Sequence, residues 1–398
     1  MGWSFLRLSA WAIALLGASA SAHASTAPKP AWVAQLHVPV YNVPQAENGM
    51  LYLTSMQGTG ANVFALDAKT GKIRWSFDTK GAVAIPPTVG AAQLFVASDE
   101  DDVHYMRALN AQTGALVWEY TRNQPPECMC SYPSTLADGL LMAQTDGHSL
   151  FAFQPQGGVP SRRVWSFAGN GALLTNPVMT DGVVVVGSAD RNVYGLDAKT
   201  GKILWQQTTG YAFTADPVIA DGVVIIGDQG GNMDGFALKT GKILWSTTAN
   251  GAIDNKAVVT GTTAFLASED HNIYALNIQN GQIVWQYTMD DYAAFPLTIA
   301  GDEVVVDNRA GQLMALDTRH GTRLWQTDLG GTAFSAPVLW AAHHAVVLKV
   351  NDHEVSAYNL ESGKALWQYQ TKAVVTVPVI SAGDVAVATS LGVVLAFH

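Results

Sequence analysis

One tryptophan recurs at a fixed place in a repeated motif, and this constrains the fold more than any other feature of the chain. The motif is an apolar alternation, then Leu-Asp/Asn-x-x-Thr-Gly-Lys, then x-x-Trp. Asp67 to Trp75 is the first clear copy, and Asp197 to Trp205 repeats it almost letter for letter. Other copies end at Trp118, Trp165, Trp245, Trp285, Trp325 and Trp367. From Trp165 to Trp325 the step is 40 residues each time, and the outer steps are 43, 47 and 42. A period of this size is the signature of a solenoid, propeller or array.

Each unit reads as four short strands with period-2 alternation. In the fifth unit they are Ala215 to Ile219, Val223 to Gly227, Asn232 to Leu238 and Lys242 to Ser246. The Asp-x-x-Thr-Gly segment reads as a hairpin loop, because Asp or Asn bonds the turn's own N–H groups and Gly tolerates positive φ. No unit holds a helical period, which excludes a helical solenoid. Four-stranded units of this length in series predict an all-β chain folded as a β-propeller. The last unit, 373–397, has only three strands: Val374 to Ile380, Val385 to Thr389 and Val393 to Phe397. Segment 30–36, with Trp32, resembles the Trp-bearing fourth strand and is expected to complete that sheet, removing an open edge. Repeats over 37–369 plus this split unit make nine blades. The tryptophans, Trp32 included, are expected to pack between neighbouring sheets.

Composition agrees with a large folded domain. Only 14% of the 398 residues are charged and 48% are hydrophobic, which excludes disorder. A formal net charge of −10 argues against a nucleic-acid partner and against binding anionic lipid by charge. Two Cys cannot form a disulfide framework. Residues 1–24 read as a signal peptide: Arg7, the apolar stretch Leu8 to Gly17, and the small-residue ending Ala22-His23-Ala24. The apolar run is too short to span a bilayer, and no other stretch is long enough. No Cys follows the cleavage point to carry a lipid anchor. Residues 25–398 are therefore expected to be one soluble, monomeric propeller domain, periplasmic or secreted. It carries 21 basic and 32 acidic residues, a net charge of −11.

The Ala-Leu-Asp-Ala-x-Thr-Gly-Lys-x-x-Trp motif resembles the tryptophan-docking motif of the PQQ-like, quinoprotein-type propellers, across Trp32 to His398. The resemblance implies eight blades, one fewer than the repeat count. The third unit, with the longest step, a Pro-Pro pair and both Cys, is the expected exception. Two branches of the family imply different functions. PQQ-dependent alcohol dehydrogenases carry a quinone, Ca²⁺, a carboxylate base, an adjacent-Cys disulfide and long insertions. Non-catalytic propellers of the BamB type carry none of these, and this chain has neither adjacent Cys nor long insertions. The expectation is a cofactor-free scaffold that binds other envelope proteins, plausible in outer-membrane protein assembly or envelope maintenance. A PQQ- and Ca²⁺-dependent oxidoreductase is the alternative.

Two groups of residues stand out as candidate sites. Cys128 and Cys130, flanking Met129, suit a small strained disulfide, buried thiols, or a redox or copper-binding accessory function. Residues just before the first strand of each unit should line the mouth of the axial channel: Tyr132, Thr175, Asn176, Asp216, Asp254, Asn255, Phe295 and Thr376. Lys256 reads as occupying the Pro position itself. Asp216 and Asp254, in successive units, are a candidate cation pair. His343-His344 reads as an exposed loop, and Asp99-Glu100-Asp101-Asp102 as a charged hairpin loop.

Overall fold

The computed structural model describes residues 28–57, 60–100, 103–123, 134–144, 148–155 and 163–398. Over these residues the chain forms nine four-stranded antiparallel sheets arranged as a propeller, and one 3-10 turn at Ala341–His343. The fifth blade illustrates the unit: Val218–Ala220 innermost, then Val223–Gly227, Asn232–Ala237 and Ile243–Thr248 on the rim. The ninth blade joins Val379–Ser381, Asp384–Ala388 and Val393–Phe397 to the N-terminal strand Trp32–Gln35, with Trp32 opposite Ala396. Its innermost strand lies against Gln45–Glu47 of the first blade, which closes the ring.

The core is divided into layers between blades. One layer sets Val185, Val193 and Trp205 of the fourth blade against Val224, Ile226 and Phe236 of the fifth. Period-2 alternation gives each sheet two apolar faces, and only a further blade can cover them. The tryptophan fixes the spacing. Trp205 Nε1–H donates to the Leu238 carbonyl at 2.8 Å, in the turn of the next blade. Its ring lies on Gly241 of that turn, where φ is +66° and a Cβ would sit 2.5 Å from the indole. Trp75, Trp118, Trp165, Trp245 and Trp285 donate to the next blade in the same way, at 2.8–3.1 Å, as does Trp325. Trp32 makes the eighth contact of this kind, from the ninth blade to the first, donating to Ala68 at 2.9 Å and covering Gly71.

Trp367 is different. The ninth blade's third and fourth strands lie at opposite ends of the sequence, so no turn joins them. The Trp367 indole N–H is buried without an acceptor among the described residues. Its ring packs on Phe397 at 5.3 Å and edge-on to Trp340 at 6.3 Å. Trp340 supplies the missing cross-blade bond, donating to Gly383 at 2.7 Å.

Four expectations change. The family resemblance implied eight blades, and there are nine. The third unit is no exception: it has four ordinary strands, Thr135–Ala137, Leu140–Gln144, Ser149–Phe153 and Arg163–Ala168. First strands are shorter than their apolar runs, because residues such as Pro217 lack the N–H a ladder needs. Asp99 and Glu100 belong to the strand Gln93–Glu100, with the Asp99 carboxylate bonded to His104 Nδ1 at 2.5 Å; residues 101 and 102 lie outside the described residues. The signal-peptide segment 1–24 also lies outside them.

Gly241→Ala is expected to cost ~3–4 kcal/mol, combining left-handed strain with the clash against Trp205. Gly261→Ala, at φ +56° in open space, should cost only ~1–2 kcal/mol. Urea unfolding of both variants checks this, and equal losses would contradict the docking account.

Candidate functional site at the channel mouth

The innermost strands begin at one end of the channel, and the residue two before each strand forms a collar around it. Val218 pairs with Ile225, and Val258 with Phe265, so Lys256 is the equivalent of Asp216. Ala257, not Lys256, takes the Pro position. The same register places Asn176 in the fourth blade. The first, second, seventh, eighth and ninth blades carry Val43, Pro86, Pro296, Ala336 and Val377 there. These five are half-buried, as the walls of an open channel should be. The described polar collar residues are thus confined to an arc of three consecutive blades.

Asn176, Asp216 and Lys256 line one cavity of about 760 Å³, between the inner strands of the third to seventh blades. Its remaining wall is largely apolar, including Val218, Ile219, Val258 and Ile299. Asp216 is tied to the blade before it: the Asn176 backbone N–H donates to Oδ1 at 2.7 Å and Nδ2–H to Oδ2 at 2.9 Å. Asp254 is tied likewise, accepting from Thr214 Oγ1–H at 2.6 Å. Each carboxylate bonds the blade before it, and Asp254 lies two residues before the collar position that Asp216 occupies in its own blade. Lys256 is exposed and has no ion-pair or hydrogen-bond partner among the described residues.

The other collar candidates separate by register. Thr175 and Thr376 lie one residue deeper and are buried, each hydroxyl accepting from its own blade's second strand, Gly187 N–H and Ala388 N–H. Asn255 and Phe295 share that register and are half-buried. Tyr132 and the Cys128-Met129-Cys130 segment lie outside the described residues. His343 stacks on Trp340 at 3.8 Å in the 3-10 turn.

Two buried carboxylates escaped the sequence reading. Asp307, fully buried at the end of Glu303–Asp307, has no hydrogen-bond partner for either oxygen among the described residues, and burial pushes its carboxyl up to about 7. Burial, with the nearby Asp228 charge, pushes Asp234 up to about 6. The signal for Asp307 was positional: at that register the fourth to seventh blades read Gly187, Gly227, Ala267 and Asp307.

The Ca²⁺ implied by the resemblance does not fit these residues. Ca²⁺ takes roughly six to eight oxygen ligands. Here the carboxylate of the collar is already bonded on both oxygens, and a lysine stands in the next blade. Among the described residues no group of three or more His, Cys, Asp or Glu is placed to hold a metal. No helix among them is long and apolar enough to cross a membrane.

Comparison with known proteins follows the fold. A family model described as outer membrane protein assembly factor BamB matches residues 29–166, 159–295 and 293–398. Polyvinylalcohol dehydrogenase of a Pseudomonas species is 27% identical over 183 residues, 42% of this chain and 24% of that protein. BamB of Bordetella pertussis is 33% identical over 100 residues, 25% of each. The chain therefore covers about a quarter of the length of each of these relatives. Among solved structures, BamB from Moraxella catarrhalis superposes with a TM-score of 0.62 at 18% identity, over 78% of this chain and 93% of that one. The computationally designed Ika8 protein superposes at 0.61 and 12% identity, over 93% and 99%.

A carboxyl raised on folding contributes stability below its unfolded value, near 4, and loses it as pH rises through the folded value. Wild-type protein is thus expected to be less stable at pH 8 than at pH 5. Asp307→Asn should gain relative to wild type by up to ~4 kcal/mol at pH 8 and by only ~1–2 kcal/mol at pH 5. Thermal unfolding at both pH values checks this, and a variant with an unchanged pH profile would contradict it.

Proposed function

The chain belongs to the propeller family described as outer membrane protein assembly factor BamB, matched from residue 29 to 398, and on that premise we propose that it is a non-catalytic docking scaffold of the cell envelope. It works in outer-membrane protein assembly, exported by the leader 1–24 and acting without a bound quinone. The observation that carries this reading is the rim.

In each of the first eight blades the fourth strand has a β-bulge just before its tryptophan. In the fourth blade Trp205 faces Gly195 and Ile203 faces Leu196, leaving Leu204 as the extra residue. The bulge breaks the in–out alternation, so two consecutive apolar side chains face solvent. Ile203 and Leu204 are 50% and 49% exposed, Ile243 and Leu244 53% and 42%, Ile283 and Val284 47% and 53%. Exposed apolar surface repeated over consecutive blades is a mark of a protein-binding surface. A ring closed on itself presents that surface without having to rearrange, which suits docking.

The test is complementation in the native host. Deleting the chain is expected to lower outer-membrane protein levels at least twofold, and wild type to restore them. A Leu204→Glu, Leu244→Glu double variant should fail to restore them while unfolding within ~1 kcal/mol of wild type, as exposed substitutions do. A deletion without effect, or full rescue by the double variant, would refute the proposal.

A further inference from the structure

The polar arc of the collar is built unevenly. Both described carboxylates near it have donors from the preceding blade: Asp216 from Asn176 at 2.7 and 2.9 Å, and Asp254 from Thr214 at 2.6 Å. These bonds hold Asp216 on both oxygens and Asp254 on one, and stitch the fourth, fifth and sixth blades together. Lys256 continues the series by position but not by bonding, since among the described residues nothing accepts from its ammonium. It borders a cavity of about 760 Å³, within the size range of small-molecule sites, whose wall beyond the arc is mainly Val, Ile and Met side chains. At the same register the described remainder of the ring is Val, Pro or Ala, so nothing there competes for a charge.

We propose that this cavity binds a carboxylate carried on an apolar body, its anion on Lys256 and its body along Val218, Ile219, Val258 and Ile299. One unsatisfied cation matches one negative charge, which favours a monocarboxylate over a polyanion. The acid arrives against a chain of net charge −10, so selection is made by the local pair and the apolar wall, not by long-range attraction. Asp216 positions Asn176 and keeps the arc closed; it does not contact the anion. The same chemistry is offered by an aliphatic acid and by the free C-terminus of an apolar peptide, and the test separates them. The site is distinct from the rim and stands whether or not the rim docks a partner.

The experiment is calorimetric titration of the full mature chain with decanoate and with N-acetyl-leucyl-valine. Their uncharged amides, decanamide and N-acetyl-leucyl-valinamide, are titrated beside them. At least one acid is expected to bind, and the acid that binds identifies the source. Its amide should bind ~10-fold or more weakly, the size of effect one charge-assisted bond carries. Lys256→Met should cause a similar loss with an unchanged unfolding curve, since the side chain is exposed. Equal affinity for acid and amide, full affinity in Lys256→Met, or no binding of either acid at millimolar concentration would each overturn the assignment. The amide comparison uses wild-type protein and so decides the question even if the variant misfolds.

Discussion

The indole laid on the next blade's glycine is the contact on which the ring depends. A four-stranded sheet with two apolar faces cannot fold alone, and each blade must find a neighbour at the right distance and tilt. The Asp-x-x-Thr-Gly turn prepares the receiving surface. Asp67 Oδ1 accepts from the backbone N–H groups of Lys69 and Thr70 and from the Thr70 hydroxyl, at 3.2, 3.0 and 2.8 Å. The turn then places Gly71 at φ +68° with no side chain between its backbone and the Trp32 ring. One hydrogen bond is worth ~1 kcal/mol net. Burial of the indole adds more, and repetition around the ring sums them. The exception follows the same logic: where the ninth blade has no such turn, Trp367 loses its acceptor and Trp340 supplies a substitute bond.

Closure and channel chemistry are linked through the same geometry. Because the blades differ little, the ring is close to symmetric, and function enters where one blade departs from its neighbours. Asn176, Asp216 and Lys256 are such departures at the collar, and Asp307 is one between blades. The bulges act differently, as a device shared by eight blades. They blunt the outer edge against uncontrolled strand pairing, and in the fourth to sixth blades they turn a second apolar side chain outward. The rim is therefore repetitive and the channel mouth individual, which suits a broad docking surface outside and a selective site within.

Much of this was legible in the sequence because each tryptophan marks one fourth strand. Counting them gave nine sheets where family resemblance implied eight. Trp32 announced the closing strand for the same reason. The Lys256 register was misread because Ala257 stands where other units have Pro, and without that marker the apolar run offers no anchor. Asp307 was illegible because its meaning depends on which side of a strand end faces the next blade. The exposed Ile203-Leu204 pair was hidden by a bulge that simple alternation does not foresee. The Cys128-Met129-Cys130 segment lies beyond the described residues, and its chemistry stays with the sequence reading.

The central claim is that the N-terminal strand closes the ring through the same indole contact that joins the other blades. Hydrogen exchange of the indole N–H groups, followed by NMR on nitrogen-15-labelled protein, tests it most directly. Trp32 Nε1–H is predicted to exchange as slowly as Trp205 and Trp245, whose acceptors lie within continuous units. A Trp32 indole exchanging at the rate of an exposed side chain, while Trp205 and Trp245 stay protected, would contradict the closed ring.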